Sequence, residues 1–281
     1  MFANAGNTCY LNAAMHVLLH APQLTNYFLI HENVESSSAF VRAYGDLVRA
    51  YWSAGTVPVA GPYDRATAMF LKRHADLFPP GAQHDALEAM TRVLEDLHEG
   101  LGPFKGRSKV ADGSFGAADG SFGSQKEWRR QNPSLITEIF GHQTVTDGRI
   151  FDHATSVHVP ATCGSIRDGV LRLAEPEIVD GGKIRETRFS HLPLVLFVHV
   201  QRFEDAFVEC PRRMDLWGSV YSLFAVVFHR GSLHSGGHYT CGVATKDDGL
   251  LKIFDDDADP KIEKIIDGRA VYLAAYKKLN L

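Results

Sequence analysis

Residues 4–20, NAGNTCYLNAAMHVLLH, place a cysteine directly before a run with helical periodicity. Apolar side chains recur every three or four positions between Leu11 and Leu19, which predicts a helix. Asn7 and Thr8 are candidate N-caps, so we expect Cys9 in the first turn. The free N–H groups and the dipole of that turn favour a thiolate over a thiol. Two interpretations of Cys9 therefore stay open: a reactive nucleophile or a small buried hydrophobic residue.

The composition is that of an ordinary globular protein, with 281 residues, 45% hydrophobic and 22% charged. A net charge of −4 provides no polycationic surface, so nucleic acid and anionic membranes are not expected partners. No apolar run approaches the length of a membrane span. The cysteines are scattered without a C-x-x-C pair, which favours a reducing, intracellular compartment (cytoplasmic or nuclear) and argues against structural zinc. They are Cys9, Cys163, Cys210 and Cys241.

The periodicity changes along the chain from helical to strand-like. The segment QHDALEAMTRVLEDLHEGL at 83–101 carries an apolar helical stripe that ends at Gly100. The tandem duplication ADGSFGAADGSFG at 111–123 is too polar to bury a core, which predicts a mobile loop. Later apolar runs, separated by Gly- and Asp-containing turns, predict an antiparallel meander. We therefore expect an α+β fold with a helical lobe at 1–110, a mobile loop at 111–130 and a sheet lobe at 131–281.

A histidine and an acidic cluster flank two of the predicted strands. His238 follows two glycines at the start of HYTCGVA, and the next strand, LLKIF, ends in Asp255 and two further aspartates. If the strands form a hairpin, Asp255 returns beside His238, accepts its Nδ1 proton and leaves Nε2 facing Cys9. Asp256 is a secondary candidate for this orienting role. The cluster lacks the regularly spaced oxygen ligands of a calcium loop, so we expect no metal.

Six blocks of the sequence resemble, in order, the motifs of the ubiquitin-specific proteases, a papain-like family of deubiquitinases. NAGNTCYLN resembles the cysteine box, QHDALEAM the Gln-x-Asp-Ala-x-Glu motif, and HLPLVLFVHVQRF the Leu-Pro-x-x-Leu…Arg-Phe strand. YSLFAVVFHRGSLHSGGHYT resembles the strand and loop before the histidine, GGHYT with FDDD the histidine box, and VYLAAYKKL the closing strand. The resemblance implies a papain-like cysteine protease fold with a helical thumb lobe, an antiparallel-sheet palm and short fingers. It extends over the whole chain, 1–281, as a single catalytic domain.

The resemblance also implies a role for individual residues. It makes Cys9 the nucleophile, His238 the general base and acid, Asp255 the orienting carboxylate, and the amide of Asn4 an oxyanion donor. Asp85 and Glu88, three apart on one predicted helix face, match carboxylates that bind the basic tail of ubiquitin. The remaining substrate-binding candidates support or shape the narrow channel for a Gly-Gly terminus; they are Gln83, Gly236, Gly237 and Tyr239.

The sequence departs from the family pattern in the finger region, where Cys163 stands alone instead of two Cys-x-x-Cys pairs. We therefore expect short fingers, no zinc and no cofactor. The expected activity is thiol-dependent hydrolysis of the isopeptide bond after the C-terminal glycine of ubiquitin, by a monomer acting on ubiquitin or ubiquitinated proteins. Two alternatives stay open: a protease for another ubiquitin-like modifier, and a ubiquitin-binding module with weak turnover.

Overall fold

The computed structural model describes residues 2–31, 34, 36, 38–53, 55, 59–102, 134–148, 150–202, 206–232, 236–246 and 249–279. The tandem duplication at 111–123, and with it the predicted mobile loop at 111–130, lies outside the described residues.

Five helices precede residue 103 and two short ones follow in the described part of the chain. They are α1 Cys9–Leu19, α2 Pro22–Ile30, α3 Ala39–Trp52, α4 Ala60–Arg73, α5 Ala86–Leu101, α6 Leu135–Phe140 and α7 Ile166–Arg172.

The helix starts follow the capping residues that the sequence offers. At α3 the Ser38 hydroxyl accepts the N–H of Val41, and at α5 the carboxylate of Asp85 accepts two N–H groups of the first turn. Both helices are amphipathic and bury one face in the helical lobe. By contrast, every residue of α1 is buried, so it is a central helix surrounded by protein.

The strands after residue 141 form three sheets. They are β1 His142–Thr146, β2 Ile150–Ala154, β3 Ser156–Pro160, β4 Glu177–Val179, β5 Lys183–Arg185, β6 Thr187–His191, β7 Val195–Gln201, β8 Arg213–Leu216, β9 Ser219–Ser232, β10 Gly236–Ala244, β11 Leu251–Phe254, β12 Lys261–Glu263 and β13 Val271–Lys278.

The largest sheet has eight strands in the order β12-β11-β10-β9-β13-β7-β3, with β8 pairing β9. Its pairs are antiparallel except β3 with β7, which is parallel. The predicted meander is correct only for β9 to β12, because β13 inserts between β9 and β7. A three-stranded sheet, β2-β1-β6, and the hairpin β4-β5 lie in the part of the chain where short fingers are expected.

Two hydrophobic cores meet at the large sheet. One joins α1 and the other helices of the lobe to one face of the sheet, and the other fills the opposite face beneath α7. Helix α1 packs against β10, so the first residues of α1 lie beside the strand that begins with Gly236 and Gly237. None of the described helices has the length and apolar character needed to cross a bilayer.

Candidate active site

Cys9 is the first residue of α1, as the sequence predicts, and only 4% of it is exposed. Thr8 occupies the N-cap position, but its hydroxyl accepts the N–H of Ala5 at 3.0 Å and does not cap the helix. The N-terminal loop therefore uses the threonine to fix its own turn. The free N–H groups of the first turn of α1 stay available beside the sulfur.

The expectation that the thiolate is favoured at Cys9 is wrong for this structure. Burial raises the pKa of the Cys9 thiol, and the charge of Asp256 acts in the same direction. The backbone N–H of Tyr239 opposes this rise without overcoming it. Desolvation thus outweighs the helix terminus, and the thiol is mainly protonated at neutral pH.

Alkylation of Cys9 by iodoacetamide is therefore expected to accelerate steadily with pH. Below the thiol pKa, each pH unit raises the thiolate fraction, and hence the rate, about tenfold. Intact mass with peptide mapping measures the rate between about pH 7 and pH 9. Cys163, whose pKa burial also raises, serves as the internal control. A rate that is flat below about pH 8 would mean that the thiolate already exists in the free protein.

His238 and Asp255 form the pair that the hairpin predicts. Cys241 of β10 lies opposite Phe254 of β11, which brings Asp255 back beside the start of β10. His238 Nε2 lies 2.6 Å from Asp255 Oδ1. The predicted ring orientation is wrong, because the aspartate holds Nε2, and Nδ1 has no hydrogen-bond partner in the part of the chain that the structure describes. Within the described residues, no hydrogen bond joins Cys9 Sγ to His238.

Asp256 performs a different task from Asp255. It has a left-handed backbone (φ 47°), and its carboxylate accepts the Asn4 amide at 2.8 Å and the Asn12 amide at 2.6 Å. The Asn4 carbonyl oxygen accepts the N–H groups of Gly6 at 3.1 Å and Thr8 at 3.0 Å. Asn4 is thus fixed at both ends of its amide, and one of its two amide protons remains for an oxyanion.

Of the two glycines before His238, Gly237 lines a channel that also reaches Cys9, and Gly236 lies next to it in the chain. Gly236 has φ +108°, and a Cβ there would lie 3.1 Å from Gln83 Oε1. A Cβ on Gly237 would lie 2.2 Å from His229 Nε2, so only glycine fits. The Gly237 N–H donates to Gln83 Oε1 at 2.8 Å, which links the helical lobe to β10 across the channel.

The channel is a cavity of about 240 Å³ that reaches Cys9. Tyr239 and His229 line it together, with ring centroids 4.5 Å apart. Sequence reasoning did not select His229, although it lies in the quoted block before the histidine box. The strand register would have indicated it, because His229 of β9 lies opposite Tyr239 of β10.

Asp85 is the N-cap of α5 and does not lie on its helical face, which corrects the predicted arrangement. Asp85 Oδ1 accepts the N–H groups of Leu87 at 2.8 Å and Glu88 at 3.0 Å. The Tyr272 hydroxyl, also missed by sequence reasoning, donates to the same carboxylate at 2.5–2.6 Å. Asp85 therefore stabilises the start of α5 in addition to carrying a charge, and one of its carboxylate oxygens can accept a further hydrogen bond.

Glu88 is exposed and lies in the same open cleft as Asp85, next to the channel. Its carboxylate makes no ion pair or hydrogen bond with any described residue. Arg92, one turn later, is bound instead by Glu95 at 2.6 Å. The cleft thus presents the carboxylates of Asp85, Glu88 and Glu95. Glu95 is paired with Arg92, and Glu88 can pair with an incoming cation.

The family model described as ubiquitin carboxyl-terminal hydrolase matches residues 2–276. The chain belongs to this family. Ubiquitin carboxyl-terminal hydrolase 2 of Homo sapiens is 24% identical over 310 residues, covering 91% of this chain and 51% of the relative. Ubiquitin carboxyl-terminal hydrolase 8 of Arabidopsis thaliana is 28% identical over 221 residues, covering 71% of this chain and 24% of the relative.

Solved structures show the same fold for this member of the ubiquitin carboxyl-terminal hydrolase family. An SAGA DUB module of Ubp8, Sgf11, Sus1 and Sgf73 bound to monoubiquitin matches with a TM-score of 0.75 and 15% identity, covering all of this chain and 69% of that one. The Ubp8 module bound to ubiquitin aldehyde matches with a TM-score of 0.73 and 16% identity, covering 100% and 69%. The chain spans about a quarter to a half of the length of the two curated relatives.

Proposed function

We propose that the chain is a thiol-dependent deubiquitinase that hydrolyses the isopeptide bond after the C-terminal glycine of ubiquitin. One observation carries this proposal: Cys9 and Gly237 line the same cavity, and Gly237, for which no larger residue fits, directly precedes His238 of the His238–Asp255 pair. Such a channel admits an extended chain without side chains and brings its terminal carbonyl to a sulfur. Membership of the family and the ubiquitin-bound structural neighbours support ubiquitin as the partner.

In the proposed reaction, His238 Nδ1 takes the proton of Cys9, and the sulfur attacks the carbonyl carbon of the terminal glycine. The negative charge that develops on the carbonyl oxygen meets the Cys9 N–H and the remaining amide proton of Asn4. The C–N bond to the lysine side chain breaks, and His238 returns its proton to the leaving amine. Water, deprotonated by His238, then attacks the thioester carbonyl, and the C–S bond breaks. The Cys9 thiolate leaves and recovers its proton from His238, and the glycine terminus is released as the free carboxylate.

Substrate binding has a further task in this scheme, because Cys9 and His238 are not hydrogen-bonded and burial raises the thiol pKa. The Gln83–Gly237 contact crosses the channel, so a tail that enters must displace or join it. We propose that this adjustment brings Cys9 within reach of Nδ1 and forms the thiolate–imidazolium pair. Activation is then coupled to occupation of the channel.

A ubiquitin derivative with a C-terminal electrophile tests the proposal directly. We expect a single covalent adduct on Cys9, located by intact mass and peptide mapping. Cys163→Ala is the matched control, since Cys163 is also a buried free cysteine and should leave the adduct unchanged. Absence of an adduct would refute the enzyme and leave the binding module. An adduct formed only with the corresponding probe of another modifier would favour the alternative substrate.

Asp255→Asn is expected to slow turnover more than Asp256→Asn. The amide oxygen introduced by Asp255→Asn would still accept a hydrogen bond from Nε2 but would no longer stabilise the imidazolium, whereas Asp256 contacts Asn4 and Asn12 instead of His238. Steady-state kcat for a ubiquitin C-terminal fluorogenic substrate measures both variants. The assigned roles are exchanged if Asp256→Asn causes the larger loss of kcat while the thermal stability of the two variants is equal.

The wider assignments rest on the same observations. We propose that residues 1–281 form one catalytic domain that works in a reducing, intracellular compartment, which suits four free cysteines. Asn4, Gln83, Gly236 and Tyr239 keep their proposed roles in oxyanion binding and in shaping the channel. Asp85 and Glu88 are proposed to hold the basic tail of ubiquitin.

A further inference from the structure

Two histidines outside the proposed catalytic set face each other at the edge of the large sheet. His158 of β3 and His199 of β7 are register partners in the parallel strand pair. Their Nδ1 atoms are 3.0 Å apart, and their ring centroids are 5.2 Å apart with the planes at 86°. The proposed reaction uses neither ring.

This spacing is that of two imidazoles on one metal ion. At a metal–nitrogen distance of about 2.0–2.1 Å, two nitrogens are about 2.9 Å apart at a right angle and about 3.4 Å apart at a tetrahedral angle. The observed 3.0 Å lies between these limits. In the metal-free protein the two nitrogens share a hydrogen bond, and an ion that replaces its proton lies off the line between them, about 2.0–2.1 Å from each nitrogen.

The surroundings prepare the pair for coordination. Ser156 Oγ lies 3.4 Å from His158 Nε2, so the hydroxyl can accept that N–H and leave Nδ1 with its lone pair.

The pair also adjoins the cleft that holds the two tail carboxylates. His199 lines that cleft with Asp85 and Glu88, and its ring packs edge-on against Tyr272 at 4.7 Å between centroids. The charge of Asp85 acts on the His199 ring. A divalent cation held here would add positive charge at the place where a cationic peptide is expected to bind.

We propose that His158 and His199 chelate a borderline transition-metal ion such as Zn²⁺, Ni²⁺ or Cu²⁺, and that the bound ion weakens capture of the substrate tail. The ion completes its coordination with water. Since the pair provides only two ligands, the site is a reversible regulatory site and not a folding element. The effect on tail capture rests on the proposed function, whereas metal binding does not.

Isothermal titration with NiCl₂ tests the binding step. All samples carry Cys9→Ala, which removes the reactive thiol. We expect one site, and at least about a tenfold loss of affinity in His158→Asn and in His199→Asn. His31→Asn, which changes an exposed histidine elsewhere, should bind as the parent does. A second candidate metal cluster is formed by His238, Asp255 and Asp256, whose ligand atoms lie within 4.8 Å of one another. The His238→Asn variant shows whether the ion binds at that cluster instead.

Three outcomes would overturn the proposed site: no binding by the Cys9→Ala parent, unchanged affinity in both His158→Asn and His199→Asn, or loss of binding only in His238→Asn.

The kinetic step is tested in the unmodified enzyme, where Ni²⁺ should raise KM for the ubiquitin substrate and leave kcat nearly unchanged. His158→Asn should remove that rise. An unchanged KM despite calorimetric binding would refute tail blocking, while failure of the metal-free enzyme to react with the ubiquitin probe would refute the proposed function instead.

Discussion

Cys9→Ala is expected to lower kcat/KM for a ubiquitin C-terminal fluorogenic substrate by about four orders of magnitude or more. Among the described residues that line the channel, Cys9 is the only cysteine and there is no serine or threonine, so the covalent route is lost with the sulfur. The fold should persist, because alanine is a good helix former and the change removes a single buried atom from α1. Far-UV circular dichroism and thermal unfolding check this.

Cys9→Ser provides the more demanding control for the same prediction. The hydroxyl fills the space of the thiol, yet its proton is far harder to remove, so turnover should again be near zero. Cys163→Ala, another buried free cysteine, should retain the parental rate. Activity of Cys9→Ser or Cys9→Ala within tenfold of the parent would remove Cys9 from the mechanism.

Glu88→Gln is expected to lower kcat/KM for ubiquitin about tenfold to hundredfold, since a charge-assisted pair contributes about 1.5–3 kcal/mol. The loss should come mainly from KM, because the carboxylate acts on the tail and not at the reacting carbonyl. Stability should be nearly unchanged, since Glu88 is exposed and its carboxylate has no partner among the described residues. Glu99→Gln, on the same helix but paired with Arg73 at 2.5 Å, is the matched control.

Asp85 needs a different design because it also caps α5. Asp85→Ala should lower the free energy of unfolding by about 0.5–2 kcal/mol through loss of the cap, and it leaves the Tyr272 hydroxyl without its acceptor. Asp85→Asn keeps a capping oxygen and an acceptor while removing the charge. An activity loss in Asp85→Asn without a stability loss would assign the charge to tail binding.

A charge exchange completes this test of tail recognition. Glu88→Arg should impair cleavage of ubiquitin further, and a ubiquitin whose tail arginine is changed to glutamate should recover part of the rate. A variant that is merely less stable cannot give that recovery. Wild-type rates for both Glu88→Gln and Asp85→Asn would instead mean that these carboxylates do not recognise the tail.

Much of this arrangement could be predicted from the sequence because it depends on local patterns. The periodicity after Cys9 and the paired strands before Asp255 specify where the proposed nucleophile, the histidine and its carboxylate lie along the chain. The order β9-β13-β7 was not predictable in this way, since a meander and an inserted strand have the same alternation of residues.

The wrong predictions concern the environment of individual side chains, which is determined by tertiary packing. The thiol pKa depends on how completely the sheet covers Cys9, which the helix pattern alone does not reveal. Likewise, the contact of Asp255 with Nε2 is fixed by the approach of β11 to β10, and either ring nitrogen was compatible with the hairpin. Asp85 can act as a helix cap or as a charged binding group, and the sequence alone does not distinguish these two roles.

The distance along the chain between Cys9 and the His238–Asp255 pair has a consequence for biosynthesis. Cys9 precedes His238 by 229 positions (238 − 9), and Asp255 follows later still. At elongation rates of about 5–20 residues per second, the ribosome adds His238 about ten seconds or more after Cys9. During that interval the nascent chain lacks His238, Asp255 and Gly237, which the proposed reaction requires. On the proposed function, cleavage therefore begins only after β10 and β11 have joined the sheet, so the order of synthesis delays the activity.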